Sequence, residues 1–126
     1  MEINNPGVVA EVAAAFADYE AALVAGDAER TAGWFWESPE VVRFGVADRQ
    51  LGAVEHRRWR LSQPPLPPGR RLAGTRISTF GADYAVVTTL FAYDSTATQG
   101  RQSQTWARLP DGWRIVTAHV SALPTA

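Results

Sequence analysis

The sequence predicts an α+β protein in which helices come first and a meander of antiparallel strands follows. Apolar residues recur at three- and four-residue steps in the first part of the chain, which is the spacing of an amphipathic helix. After residue 70, β-branched and aromatic residues dominate and turn residues separate them. The 126 residues, 46% of them hydrophobic, suffice for one core, so we expect a single domain over residues 1–126.

The first predicted helix runs from Pro6 to Ala25. Asn5 can cap its start and Gly26 can end it. Asp27 then caps a short second helix that leads to three aromatic residues at 34–36, which we expect in the core or in a pocket wall. The apolar face of the first helix consists of Val8, Val12, Phe16, Tyr19 and Leu23.

The middle of the chain predicts a short strand over residues 41–45, a turn, and a helix from about Ala53 to Leu61. The proline-rich segment 64–69 is an extended connector. Four strands follow at residues 70–80, 84–93, 101–109 and 113–121, with hairpin turns between them. This order predicts a long helix lying on one face of a curved antiparallel sheet.

Composition excludes several kinds of chemistry. Cysteine is absent, which rules out disulfides and thiolate nucleophiles, and all twelve basic residues are arginine, which rules out a lysine Schiff base. The two histidines cannot form a three-histidine zinc site. We therefore expect neither a metal nor a cofactor.

Charge and hydropathy favour a small-molecule ligand over a macromolecular surface. The net charge of -1 provides no global attraction to nucleic acid or to an anionic membrane. The sequence shows no signal peptide and no membrane-spanning run, so we expect a cytoplasmic protein without a membrane partner. The basic run at residues 56–60 contains Trp59, as nucleic-acid-binding segments do. Its helical setting instead favours a solvated face, with Trp59 buried and one arginine reaching a pocket.

Several segments carry a family resemblance. Residues 100–121 resemble the last hairpin of NTF2-like proteins, in which a tryptophan strand and a tight turn precede a Trp-x-Ile-Val-x-x-His-x-Ser strand. Four segments taken together are similar to the AtzH-like or HpxZ-like family. They are the opening Glu-Ile-Asn at 2–4, the Val-Arg-Phe-Gly strand at 42–45, the helix at 52–60 and the Gly-Arg-Gln-Ser-Gln-Thr-Trp run at 100–106. The resemblance covers essentially the whole chain and implies an NTF2-like (cystatin-like) cone.

The resemblance also implies a function. Members of this family are associated with cyanuric acid, ureide and oxalurate catabolism, and the namesake activity is decarboxylating amidohydrolysis of 1,3-dicarboxyurea to allophanate. By resemblance, this chain is a cofactor-independent enzyme for a small carboxylated urea, a homodimer, and functionally linked to an amidase. The family's catalytic tyrosine and arginine match Tyr19 and Arg43.

Arg43 lies in the middle of an apolar strand, so a buried guanidinium there requires an anionic partner. A substrate carboxylate could bind its fork bidentately. The alternative is a structural salt bridge, with Asp18, Glu20 and Glu55 as the candidate partners.

Tyr19 shares a helical face with Phe16 and Leu23 and should point at the sheet. Core packing is the usual role of a tyrosine at such a position. The resemblance favours a second role as a proton shuttle, because a neighbouring guanidinium would favour the phenolate.

Gln104 and Trp106 share one strand face and are the predicted substrate-binding residues. On the last strand we expect the face with Val120 to line the pocket, which leaves Ile115 and His119 on the outer face. His119 is then an interface or structural residue and a reserve candidate for a catalytic base, because one bulge would reverse the alternation.

Two other functions compete with the enzyme. A non-catalytic accessory protein could use the same pocket to bind a small anion and partner an amidohydrolase. A steroid-isomerase-like or dehydratase-like enzyme would need a carboxylate base in the pocket, and the strand sequences offer none at an obvious interior position.

Overall fold

The computed structural model describes residues 1–95 and 99–123. Its helices and strands confirm the predicted order to within one or two residues and add one short strand, β2, where a turn was expected. The predicted loop between the second and third strands of the meander lies partly outside the described residues. The elements are α1 (Pro6–Ala25), α2 (Ala28–Gly33), β1 (Val42–Phe44), β2 (Arg49–Leu51), α3 (Ala53–Ser62), β3 (Arg71–Phe80), β4 (Tyr84–Ala92), β5 (Gly100–Leu109) and β6 (Gly112–Ala122).

The helix caps form as the sequence predicts. The Asn5 side chain accepts hydrogen bonds from the first free amides of α1, and Gly26 ends that helix in the left-handed conformation at φ 72°. The Asp27 carboxylate accepts from the amide of Arg30 at 3.2 Å and caps α2. None of the helices among the described residues is long and apolar enough to cross a bilayer.

The sheet has six strands in the order β2-β1-β6-β5-β4-β3. Four of its pairings are antiparallel, which confirms the predicted meander, and β1 runs parallel to β6, which makes the sheet a mixed one. The parallel pairing is possible because β1 and β6 are separated by α3 and the whole meander, so no tight turn constrains their directions. It places Arg43 directly beside Ala118 of β6.

A β-bulge in β6 reverses the alternation that the sequence suggested. Trp106 pairs with Ile115 whereas Thr105 pairs with Thr117, so the residue between them on β6 has no partner. Ile115 is therefore fully buried, and its predicted place on the outer face is wrong. His119 is exposed on the outer face as expected, with its ring edge-on to Phe44 at a centroid distance of 5.7 Å.

The core lies between α1 and the inner face of the sheet. Its largest fully buried side chains are Trp106 and Ile115, and α1 contributes Val12, Phe16 and Tyr19. Phe35, from the aromatic segment after α2, is also buried there, and Trp34 packs against Trp106.

Candidate functional site

A single row of residues across the sheet forms the floor of the site. Directly paired residues project from the same face, so the members of this row share the inner face. Strands lie about 4.8 Å apart, and Arg43 and Gln104 are two strands apart, with the short side chain of Ala118 between them. The row runs Gln50, Arg43, Ala118, Gln104, Val87 and Ile77.

Arg43 is held in an ion pair that the sequence did not predict. Its Nη1 donates to Asp48 Oδ1 and to Gln50 Oε1, each at 2.9 Å, and its side chain is only 10% exposed. Gln50 Nε2 donates to the same Asp48 oxygen at 2.8 Å, which fixes both groups. The three carboxylates proposed from the sequence are engaged elsewhere: Asp18 pairs with Arg30, Glu20 pairs with Arg70, and Glu55 accepts from the amide of Leu51.

Two arginines stack on one indole. The guanidinium carbons of Arg43 and Arg60 lie 4.1 Å and 4.4 Å from the centre of the Trp59 ring. Arg60 is thus the arginine of the basic run that turns inward. Burial lowers the pKa of Arg60 and the charge of Arg43 adds to this effect, whereas Tyr19 and Asp48 oppose it.

Tyr19 is 4% exposed and lies edge-on to Phe35, with ring centres 6.1 Å apart. Burial raises the pKa of the Tyr19 phenol, and the charges of Arg60 and Arg43 offset this rise only in part. The guanidinium groups favour the phenolate, as expected, but burial outweighs them, so the phenol keeps its proton at neutral pH.

His56 is a residue that the sequence analysis assigned to a solvated face. It is 2% exposed and stacks on Phe35 with ring centres 3.9 Å apart, and its Nε2 has no hydrogen-bond partner among the described residues. Burial, together with the charges of Arg60 and Arg43, lowers its pKa to about 3, so the imidazole is neutral. The spacing of His56 and Arg60, four residues apart on one helix face, was the signal that could have identified it.

Trp106 determines how Gln104 presents its amide. The Trp106 indole is fully buried and its Nε1 donates to Gln104 Oε1 at 3.0 Å. Because an indole N–H can only donate, this bond identifies the amide oxygen and leaves Nε2 as a donor. That Nε2 is buried and has no partner among the described residues. Trp106 itself lies in the core and reaches the site through Gln104.

A second buried ion pair lies beside the site. Arg70 Nε donates to Glu20 Oε1 at 2.8 Å, and Arg70 also donates to the Tyr93 hydroxyl at 2.8 Å and to Gln102 Oε1 at 3.1 Å. Gln102 Nε2 donates back to Glu20 at 3.3 Å and closes the network. Glu20 is a buried carboxylate that the strand sequences could not reveal, since it comes from α1, and it is fully engaged.

We call five of these residues the inner cluster: Tyr19, Arg43, His56, Arg60 and Gln104. Arg43 and Arg70 each have a carboxylate partner, and no carboxylate of residues 1–95 or 99–123 lies within ion-pair distance of Arg60. Arg60 lines a cavity of about 100 Å³ together with Leu23 and Leu66. His56 lines a groove of about 580 Å³ on the other side, between α2 and α3. Tyr19, Arg43 and Gln104 line neither of these two spaces.

Comparison with known families and structures agrees with this architecture. The profile of the AtzH-like family matches residues 1–126. The structure is similar to that of a cystatin-like fold protein from Burkholderia xenovorans, with 50% identity over 100% of this chain and 99% of that one and a TM-score of 0.96. A protein of unknown function from Pectobacterium atrosepticum shares 41% identity over 97% of this chain and 95% of that one, with a TM-score of 0.93.

A more distant structure shares the fold alone. It is a putative ketosteroid isomerase from Parabacteroides distasonis, 17% identical over 86% of this chain and 84% of that one, with a TM-score of 0.72. A search of functionally curated proteins finds no match. The full-length profile match and the two closely similar structures lead to one conclusion: the chain belongs to the AtzH-like family of NTF2-like, cystatin-like proteins.

Proposed function

We propose that the protein is a cofactor-independent decarboxylating amidohydrolase that converts 1,3-dicarboxyurea to allophanate in the cytoplasm. The observation that carries the proposal is a buried tyrosine, Tyr19, whose pKa is raised by burial and lowered in part by the charges of two arginines, Arg60 and Arg43. This arrangement suits an anionic substrate that must receive a proton. Membership of the AtzH-like family supplies the substrate class.

The reaction breaks the bond between a urea nitrogen and its carboxylate carbon. The bonding electrons remain on nitrogen, carbon dioxide leaves, and the nitrogen takes one proton. Tyr19 is the proposed donor, because burial keeps its phenol protonated. The phenolate left behind is stabilised by Arg60 and Arg43 until it takes a proton from water, so one proton is consumed in each turnover.

Arg43 is the proposed positioning group for the departing carboxylate. Its Nη1 is held by Asp48 and Gln50, so the guanidinium is fixed before the substrate arrives. Gln104 supplies a free amide donor from the sheet floor, and Trp106 keeps that donor in place. Gln104 and Trp106 thus remain the proposed substrate-binding pair, with only Gln104 in contact with the ligand.

The direct test is carbon dioxide release from freshly generated 1,3-dicarboxyurea, measured against the spontaneous rate. Tyr19→Phe and Arg43→Ala should each reduce kcat by about 100-fold or more, the usual range for loss of a general acid or of an electrostatic contact. Tyr84→Phe and Arg49→Ala are matched controls, because both side chains are exposed and both should retain activity. Wild-type protein that fails to exceed the spontaneous rate would refute the enzyme assignment.

Binding without turnover is the second candidate. The unpartnered donors Arg60 Nε and Gln104 Nε2 support it, since they could hold a small anion without any reaction. In that case the protein would deliver the anion to an amidase partner. Saturable binding of an anion, together with carbon dioxide release no faster than the spontaneous rate, would establish this role.

For either function we propose a homodimer, whose mass is measurable by light scattering.

A further inference from the structure

We propose that Arg60 is the anion anchor of this site and that it shares a carboxylate-bearing ligand with Gln104. This rests on the proposed function and deepens it, since it names the residue that selects substrates with a carboxylate. The family resemblance pointed to Tyr19 and Arg43, so the assignment of Arg60 comes from the structure. Arg60 and Gln104 together would bind one end of a small, planar dicarboxylate.

Arg60 forms no ion pair with a carboxylate of residues 1–95 or 99–123. Arg43 and Arg70 each have a carboxylate oxygen at 2.9 Å or 2.8 Å, whereas no carboxylate among the described residues is within ion-pair distance of Arg60. Its Nε is buried and has no hydrogen-bond partner in the part of the chain that the structure describes. A guanidinium in such a setting is costly unless an anion completes it.

The aromatic partner of Arg60 does not replace an anion. The Trp59 ring also contacts Arg43, so stacking brings two positive charges close together. Burial is the largest cause that lowers the pKa of Arg60; the charges of Arg43 and Arg70 add to it, whereas Tyr19 and Asp48 act in the opposite direction. An incoming carboxylate would offset the burial of the Arg60 charge and its proximity to Arg43, so the ligand-free site favours a negative ligand.

The sheet floor offers a complementary donor. Gln104 Nε2 is buried and unpartnered within the described residues, although its own oxygen is held by Trp106. Arg60 comes from α3 and Gln104 from the inner face of β5, so the two donors reach the interior from opposite layers.

The cavity at Arg60 is the proposed route by which a ligand reaches the site. This cavity of about 100 Å³ is lined by Leu23 of α1 and by Pro64, Pro65 and Leu66 of the connector after α3. Its apolar walls give a carboxylate no polar group other than Arg60 and the nearby Thr31 and Gln63. A ligand that enters this cavity would contact Arg60, the member of the inner cluster that lines it.

The test uses a ligand that cannot react. Malonate carries two carboxylates and malonamide is its neutral counterpart, so titration calorimetry with both isolates the contribution of charge. Wild-type protein should bind malonate at least tenfold more tightly than malonamide. Arg60→Met should weaken malonate binding by tenfold or more, whereas Arg58→Met, an exposed arginine on the same helix, should leave it within about twofold.

Thermal unfolding provides the readout that a structural role would not give. Without anion, Arg60→Met should melt at or above the wild-type temperature, because it removes an uncompensated, partly buried charge. With malonate, the wild-type melting temperature should rise and that of Arg60→Met should not. Gln104→Leu should also weaken binding, with a smaller loss because its amide carries no charge.

Three results of the binding and melting experiments would overturn the proposal: absence of malonate binding to wild type, unchanged binding in Arg60→Met, or a large fall in the melting temperature of ligand-free Arg60→Met. The last result would make Arg60 a structural residue. Because malonate does not turn over, failure of the decarboxylation assay would leave this test unaffected. Conversely, turnover of 1,3-dicarboxyurea that is unchanged in Arg60→Met would refute the anchor and leave the enzyme assignment standing.

Discussion

Arg43 Nη1 and Asp48 Oδ1 lie 2.9 Å apart across the turn that joins β1 to β2. The amide of Gly45 donates to the Asp48 carbonyl at 2.8 Å and brings the two ends of the turn together. A Cβ atom placed on Gly45 would lie 2.8 Å from Arg43 Nη1 and would collide with the Asp48 carboxylate. The ion pair that orients Arg43 therefore depends on the absence of a side chain at position 45.

Gly45→Ala should consequently displace the Arg43 guanidinium while the protein stays folded. We expect a loss of turnover of about tenfold or more, because small displacements of a positioning group have large effects on rate. Steady-state kinetics on 1,3-dicarboxyurea measures it. Gly33→Ala is the matched control, since a Cβ there meets no atom within 4 Å. Equal activity of the two variants would contradict the role of the turn.

Tyr19 should ionise at higher pH than an ordinary tyrosine. Burial raises its pKa above 10, and the arginines offset this only partly. Absorbance at the phenolate band should therefore show a component that titrates above pH 10 in the wild type and is missing in Tyr19→Phe. Circular dichroism at each pH checks that the protein is folded. If the component that Tyr19→Phe lacks titrates below pH 10 in the wild type, the charges of the arginines outweigh the effect of burial on the pKa of Tyr19.

His56 should make stability fall on acidification. The folded protein accepts a proton on His56 only near pH 3, whereas an unfolded chain accepts it near pH 6.5. Stability is therefore complete above pH 6.5 and is lost as pH falls, with a slope of up to about 1.4 kcal/mol per pH unit. Urea unfolding between pH 6.5 and 5 measures this slope before most carboxylates titrate.

The His56→Asn variant should flatten that slope. His119→Asn is the matched control, since it removes the exposed histidine on the outer sheet face and should retain the wild-type slope. If the wild-type slope is unchanged in His56→Asn, other groups cause it. His56 would then have the same pKa in the folded and the unfolded protein, which contradicts the prediction.

The Glu20–Arg70 pair should be strongly coupled. The two side chains are 11% and 4% exposed, and removal of one partner leaves the other buried without a counter-ion. Arg70→Met and Glu20→Leu should each destabilise the fold by about 3–5 kcal/mol. Their double variant should lose much less than the sum of the two, as measured by urea unfolding. Additive losses would indicate independent side chains.

The sequence predicted the elements well because local chemistry defines them. The caps at Asn5 and Gly26 fix the ends of α1, and the turn residues of the meander fix its strands. Arg43 and Tyr19 were found through the family resemblance, and the structure places both in the buried interior.

The remaining parts of the site depend on contacts between distant segments. The partner of Arg43 is Asp48, at the other end of a turn whose strand β2 is only three residues long. Glu20 reaches Arg70 across fifty positions of the chain. The bulge that turns Ile115 inward leaves no mark in the alternation of β6, because valine and isoleucine fit either face.

The parallel pairing of β1 with β6 has a consequence for the order of assembly. A nascent chain already contains every side chain of the inner cluster once Gln104 has been added, yet the strand that receives β1 begins only at Gly112. Until β6 joins the sheet, Arg43 has no neighbouring strand that places it in the same row as Gln104. Binding competence should thus emerge abruptly late in synthesis, as a property of the last strand to dock.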